Sequence, residues 1–238
     1  MNTYLSSSQL KDMAKERLSG HYGFLIGISL IVGLCSYAIS SLLTVFVSTS
    51  SLSGFLIGQG IRFCLSVFTG IFNAGLALVY LKFACGVQAS FSDIFYGFSK
   101  RFDTALTLSL IFNALALLPS LAYIQVYVGL FTGRRMFVFL SLPVLAVMLC
   151  IYVPLWICLS QCFYLMLDFP DKSAGEIISL SFRIMRGHRG RLFYIRLSFV
   201  PLILLGLLSI IGTLWITPYI QMTMTVFYFD IMKPAQKN

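Results

Sequence analysis

Charge is what this sequence has least of. Of its 238 residues, 11% are Asp, Glu, Lys or Arg and 58% are hydrophobic, and the mean hydropathy is +0.90. An ordinary soluble domain carries about 25% charged residues. The shortage excludes a water-soluble fold and implies an integral membrane protein, whose solvent asks for no polar cover. Acid is scarcer than base: eight Asp and Glu stand against seventeen Lys and Arg, for a net charge of +9. In a soluble protein that balance would suggest nucleic acid. No base-stacking or groove-entering element accompanies the arginines, so no nucleic-acid partner is expected. The excess is assigned to cytoplasmic loops instead.

Catalytic signatures are missing too. The chain has no GxSxG, HExxH, P-loop or GxGxxG. Its two histidines, His21 and His188, lie far apart. No catalytic, metal-binding or cofactor-binding residue is assigned, and the protein is expected not to be an enzyme. Six cysteines form no CxxC pair. Cys158 and Cys162 are one helical turn apart, but no histidine or carboxylate near them in sequence completes a ligand set. The cysteines read as small hydrophobes packed between helices. The polar residues deep in the apolar runs are neutral: Asn73, Asn113, Gln125 and Gln161. Coupling through a mid-membrane carboxylate is therefore not expected. Hydrogen bonding between helices is.

What remains is long apolar runs and short amphipathic ones. Residues 6–18, SSSQLKDMAKERL, start with a capping box (Ser6 and Gln9), place Leu10, Met13, Ala14 and Leu18 on one face, and stop at Gly20. This polar start, with no small-residue cleavage site after the first apolar run, reads as a cytosolic segment and not a signal peptide. The spans expected are Tyr22–Val47, about Phe63–Leu81, about Thr104–Phe131 and Met136–Leu167. The Ser/Gly-rich loop STSSLSGFLIGQG separates the first two. The fourth run exceeds the ~20 residues a bilayer core needs, and Pro143 and Pro154 are expected to kink it. Gly23 and Gly27 form a GxxxG that would permit close helix approach.

The last stretch has two readings. Leu192–Trp215 is one span with an external tail, or Gly212 marks a turn between a fifth span, Leu192–Ile211, and a sixth, Thr213–Met232, kinked at Pro218. The second reading puts fourteen of the seventeen basic residues inside, leaving Arg62, Arg134 and Arg135 outside. The first moves Lys233 and Lys237 out. Positive-inside bias favours six spans with both termini cytoplasmic. Arg196, about one turn inside span five, is expected to snorkel to the interface.

The densest charge is RIMRGHRGRLF, residues 183–193. Ser173 with Glu176 makes a capping box, so a helix starts at Ala174, and Gly187 can end it. Residues 168–191 thus form a cytosolic interfacial helix and basic turn. Arg183, Arg186, His188, Arg189 and Arg191 set orientation on one reading and grip anionic lipid headgroups on the other, at about 1 kcal/mol per basic residue. Asp168, Asp171 and Glu176 read as interfacial punctuation or as an acidic cluster.

Four stretches make the chain similar to a known family: SSSQLKDMAKERLSGHYG, GLALVYLKFACGVQASFSDIFYGF, LDFPDKSAGEIISLSFRIMRGHRGRLF and PYIQMTMTVFY. In these it resembles the bacterial domain-of-unknown-function family 975, uncharacterised multi-pass membrane proteins. In the third stretch Asp168, Pro170, Ser181, Met185, Gly187, His188 and Phe193 match. The resemblance implies a multi-pass protein of the bacterial cell membrane and no reaction, substrate or cofactor.

The expectation is one domain, residues 1–238: an all-α six-span transmembrane helix bundle with two interfacial amphipathic helices. Its partners would be membrane lipids, anionic headgroups among them, or another membrane protein. The role expected is non-enzymatic, through lipid or protein contacts in the cell envelope. The alternatives are a transporter or exporter subunit for an amphipathic substrate, and a lipid-modifying enzyme using Asp168 or Asp171.

Overall fold

The computed structural model describes residues 4–46, 51–207 and 209–235, and among these there are helices and turns but no strand. Val47, at the end of the first expected span, and Lys237 lie outside the described residues. Twelve α-helices follow in order: α1 Ser7–Leu18, α2 Tyr22–Phe46, α3 Leu52–Gly70, α4 Phe72–Ala84, α5 Tyr96–Ser99, α6 Phe102–Thr132, α7 Arg135–Leu159, α8 Cys162–Asp168, α9 Ala174–Ile184, α10 Arg189–Leu197, α11 Val200–Leu207 and α12 Ile210–Ala235, with a 3-10 turn at Phe91–Phe95. Among the described residues four stretches are long and apolar enough to cross a membrane: Leu52–Ala84, Phe102–Thr132, Arg135–Asp168 and Arg189–Leu207. They become five if α1 and the first part of α2, bent by 93°, count as one.

Local signals place both amphipathic helices. Ser6 accepts from the Gln9 amide and Gln9 accepts from the Ser6 amide at 2.9 Å. Ser173 and Glu176 repeat the exchange at the start of α9. The backbone N–H and hydroxyl of Ser173 hold the Glu176 carboxyl below the ordinary carboxylate range. Gly20 (φ 80°) and Gly187 (φ 90°) take the left-handed conformation expected where these helices stop. The apolar face of α1 is fully buried at Leu10, Ala14 and Leu18, against α12, α10 and α4.

Several expected boundaries move. The Ser/Gly-rich loop is mostly helix: Ser51 caps α3 by accepting from the Gly54 amide at 3.1 Å, and residues 52–60 form its first turns. Apolar Leu52, Phe55, Leu56 and Ile57 give this stretch a helical period that its serines and glycines mask. The fourth run breaks at Ser160–Gln161, after both prolines, and the helix is continuous through Pro143 and Pro154. At the C-terminal end the break lies before Ile210, and Gly212 is inside α12. α12 packs back on α11, and a Cβ on Gly206 would overlap Ile216. Ten residues of one straight helix span ~15 Å, so this contact excludes a single span over 192–215.

Close approach falls on glycines other than the GxxxG pair. Nothing lies within 4 Å of a Cβ built on Gly23 or Gly27, whereas Gly75 packs directly on the Ile94 carbonyl. The 3-10 turn there is held by Lys82, which donates to Asp93 at 2.7 and 2.8 Å, and by Asp93 accepting from the Ser90 amide at 2.8 Å. Burial pushes the Asp93 carboxyl up, but the bonds from Lys82 and Ser90 outweigh it and leave the carboxyl below its ordinary value. A depressed carboxyl contributes stability above its unfolded pKa and loses it as pH falls through the folded value. Thermal stability in detergent is therefore expected to fall as pH drops from 5 to 2 through this residue. In Asp93→Asn that part of the pH dependence should be missing.

Candidate functional site

The segment before α1 meets the C-terminal part of α12. The Leu5 amide donates to both oxygens of Asp230 at 3.3 and 3.4 Å, and Arg191 bridges the Asp230 carboxylate and the Leu5 carbonyl. Tyr4 and Phe227 lie over the guanidinium, with ring centroids at 5.3 and 5.2 Å. Beside this junction, between α1, α9 and the end of α12, opens a groove of about 1070 Å³. Met13, Leu180, Ile184 and Phe229 give it apolar walls, and Arg17, Arg183 and Lys233 bring positive charge. Its two carboxylates are engaged, Asp230 by Arg191 and Asp168 by the Tyr228 hydroxyl. Among the described residues none of the three cations makes an ion pair.

The basic stretch is thus divided by the fold. Arg183 lines the groove; Arg186 and Arg189 are exposed beside it. Arg191 turns inward to Asp230, and its charge is spent on the fold. His188 packs edge-on against Tyr4 at 4.6 Å. Burial, then the Arg191 charge, push its imidazole below the ordinary value, with Asp230 opposing. The fold therefore favours the neutral imidazole, and its contribution to stability is full above the ordinary imidazole value and erodes as pH falls below it. Arg17 and Lys233 were invisible as groove residues in the sequence, because only the meeting of α1 and α12 brings them to Arg183.

A second recess lies within the bundle. Two adjoining cavities, about 200 and 360 Å³, share Asn73, Phe112 and Trp156. Of the deep polar residues, Asn73 and Asn113 line this crevice. Gln161 is buried at the α7–α8 break, where it donates to the Ser160 hydroxyl at 3.0 Å. Arg196, expected to snorkel, is directed onto α7. Its guanidinium lies over the Trp156 ring, 4.1 Å from the centroid, and faces the smaller cavity.

The three acidic residues have separate surroundings. Asp168 accepts from Tyr228, Glu176 caps α9 and Asp171 is exposed. Among the described residues no hydrogen bond or ion pair joins Asp168 or Asp171 to His188 or an arginine. Cys158 and Cys162 are buried and free; the Cys158 carbonyl accepts from the Ser181 hydroxyl at 2.6 Å, tying α7 to α9.

No curated protein and no solved structure matches the chain. A family model described as "Protein of unknown function (DUF975)" matches residues 1–235. That is the family suggested by the four sequence stretches, and with nearly the whole chain covered, this protein belongs to it.

Proposed function

We propose that this is a six-span membrane protein of the cell envelope that holds anionic lipid headgroups at its cytoplasmic face and catalyses no reaction. The spans would be α2, α3–α4, α6, α7–α8, α10–α11 and α12. The meeting of Leu5 with Asp230 supports placing both termini on one side, and the bias of basic residues makes that side the cytoplasm. The single domain would present α1 and α9 at the interface, in contact with lipids or with a membrane protein partner.

The groove carries the lipid reading. Apolar walls suit the acyl end of an amphiphile, and Arg17, Arg183 and Lys233 suit its phosphate. The test is mass spectrometry of lipids co-purifying with the protein in mild detergent. Phosphatidylglycerol or another anionic lipid is expected to be enriched over zwitterionic lipid. The triple variant Arg17→Gln, Arg183→Gln, Lys233→Gln should lose the enrichment, at about 1 kcal/mol per cation. An unchanged lipid profile in that variant would end this reading.

The crevice favours a second reading, a transporter or exporter subunit for an amphipathic substrate. Asn73 lines both of its cavities and offers a polar group inside the bundle; Asn113, beside it, already donates to the Ser66 and Ser109 carbonyls. No carboxylate lines it, so such movement would not be coupled to a proton through this path.

A further inference from the structure

Arg196 is a charge without a counter-charge. Among the described residues the ion pairs are Lys15–Asp12, Lys82–Asp93 and Arg191–Asp230. No carboxylate lines either cavity of the crevice. The Arg196 Nε is buried and has no hydrogen-bond partner. The Trp156 face backs it, and the hydroxyl-bearing side chains of Ser160 and Tyr164 line the same cavity. A guanidinium in such surroundings is unfavourable unless something supplies negative charge, because its desolvation is otherwise uncompensated. Ion-pairing partners are scarce, with eight acidic residues in the chain.

The cavity beyond it is also polar. Ser66, Thr69, Asn73 and Asn113 line its continuation toward the middle of the helices. Ser66, Thr69 and Asn113 also donate to helix carbonyls, and Asn73, shared by both cavities, makes no such bond among the described residues.

We infer that the crevice is a binding site for an oxyanion, a phosphate or carboxylate group, held by the Arg196 guanidinium against Trp156. The inference rests on the membrane reading of the chain and is independent of the groove at the cytoplasmic face. Arginine presents paired N–H donors that match two oxygens of such a group. Trp156 backs the cation and excludes water. The oxyanion could be carried by a lipid or fatty acid entering between helices, or by a free ion.

Trp156 makes the site observable. The chain has two tryptophans, and Trp215→Phe leaves Trp156 as the reporter. In a neutral maltoside detergent, the Trp156 emission of this variant is titrated with sodium phosphate, with oleate, and with short-chain phosphatidylglycerol. Short-chain phosphatidylcholine serves as the zwitterionic control. A saturable change is expected with at least one of the first three and at least tenfold weaker with the control. Saturation by phosphate identifies a free-ion source; saturation by oleate or phosphatidylglycerol alone identifies an amphiphile. Arg196→Gln should weaken that binding about tenfold or more, while Arg196→Lys retains part of it. Melting temperature separates a ligand role from a structural one, since Arg196→Gln removes an unpaired charge and should leave it unchanged or raised. Absence of any saturable change, or a change that Arg196→Gln leaves intact, overturns the inference. So does a lower melting temperature in Arg196→Gln without ligand. The groove triple variant should bind as the parent does, so failure here and failure of the groove are distinct results.

Discussion

Asp230→Asn is expected to destabilise the protein by about 3–5 kcal/mol, read as a fall in melting temperature in detergent. Asp230 is 5% exposed in its side chain and Arg191 21%. Removing the carboxylate charge leaves a guanidinium between Tyr4 and Phe227 with no counter-charge. Breaking one half of a buried pair costs far more than the pair is worth, because the surviving charge stays desolvated. The Leu5 amide loses a charged acceptor as well. The N-terminal helix itself should remain docked. Leu10 and Leu18 are fully buried, and each such side chain contributes about 1.5–3 kcal/mol, enough to hold α1 in place. Protease sensitivity should thus rise at residues 4–6 and not along 7–18. The double variant Asp230→Leu, Arg191→Leu should recover most of the loss, because it removes both charges. A single variant as stable as the parent would show that the junction holds nothing.

Gly75 and Gly27 are expected to respond to alanine with opposite signs. Both lie inside helices, where Gly→Ala gains up to ~1 kcal/mol in propensity. At Gly27 the new methyl meets open space, so Gly27→Ala should be neutral or slightly stabilising. At Gly75 the methyl overlaps the Ile94 backbone carbonyl. Backbone cannot rotate away as a side chain can, and the turn is pinned by Lys82, Ser90 and Asp93. Overpacking costs about 1–3 kcal/mol or more, which exceeds the propensity gain. Gly75→Ala should therefore lower the melting temperature by several degrees, and Gly75→Leu should prevent accumulation of folded protein. Equal responses at the two positions would contradict the packing of α4 on residues 91–95.

These two sites also show what the sequence could reveal. Features set within a turn or two of chain were legible: the capping boxes of α1 and α9 and the stops at Gly20 and Gly187. So were the long apolar runs, whose hydropathy needs no knowledge of neighbours. Contacts across the fold were not. Gly23 and Gly27 carried a packing motif and pack on nothing, while Gly75 carried none and touches backbone. The five basic residues at 183–191 looked alike. The structure spends Arg191 on Asp230, 39 positions away, and leaves Arg183 free to join Arg17 and Lys233. Arg196 looked like an interfacial residue because its depth was read from the chain alone. Its direction is set by Trp156, on a different helix.

Thiol labelling of two single-cysteine variants tests the membrane-crossing arrangement most directly. In a background lacking the six native cysteines, Thr132→Cys and Gln236→Cys are each treated, in intact cells, with a reagent that cannot cross the bilayer. The cysteine at 132 should react in intact cells, and the one at 236 only after the membrane is opened. Equal labelling of both in intact cells, or release of the protein into buffer without detergent, would contradict a six-span bundle with its ends in the cytoplasm.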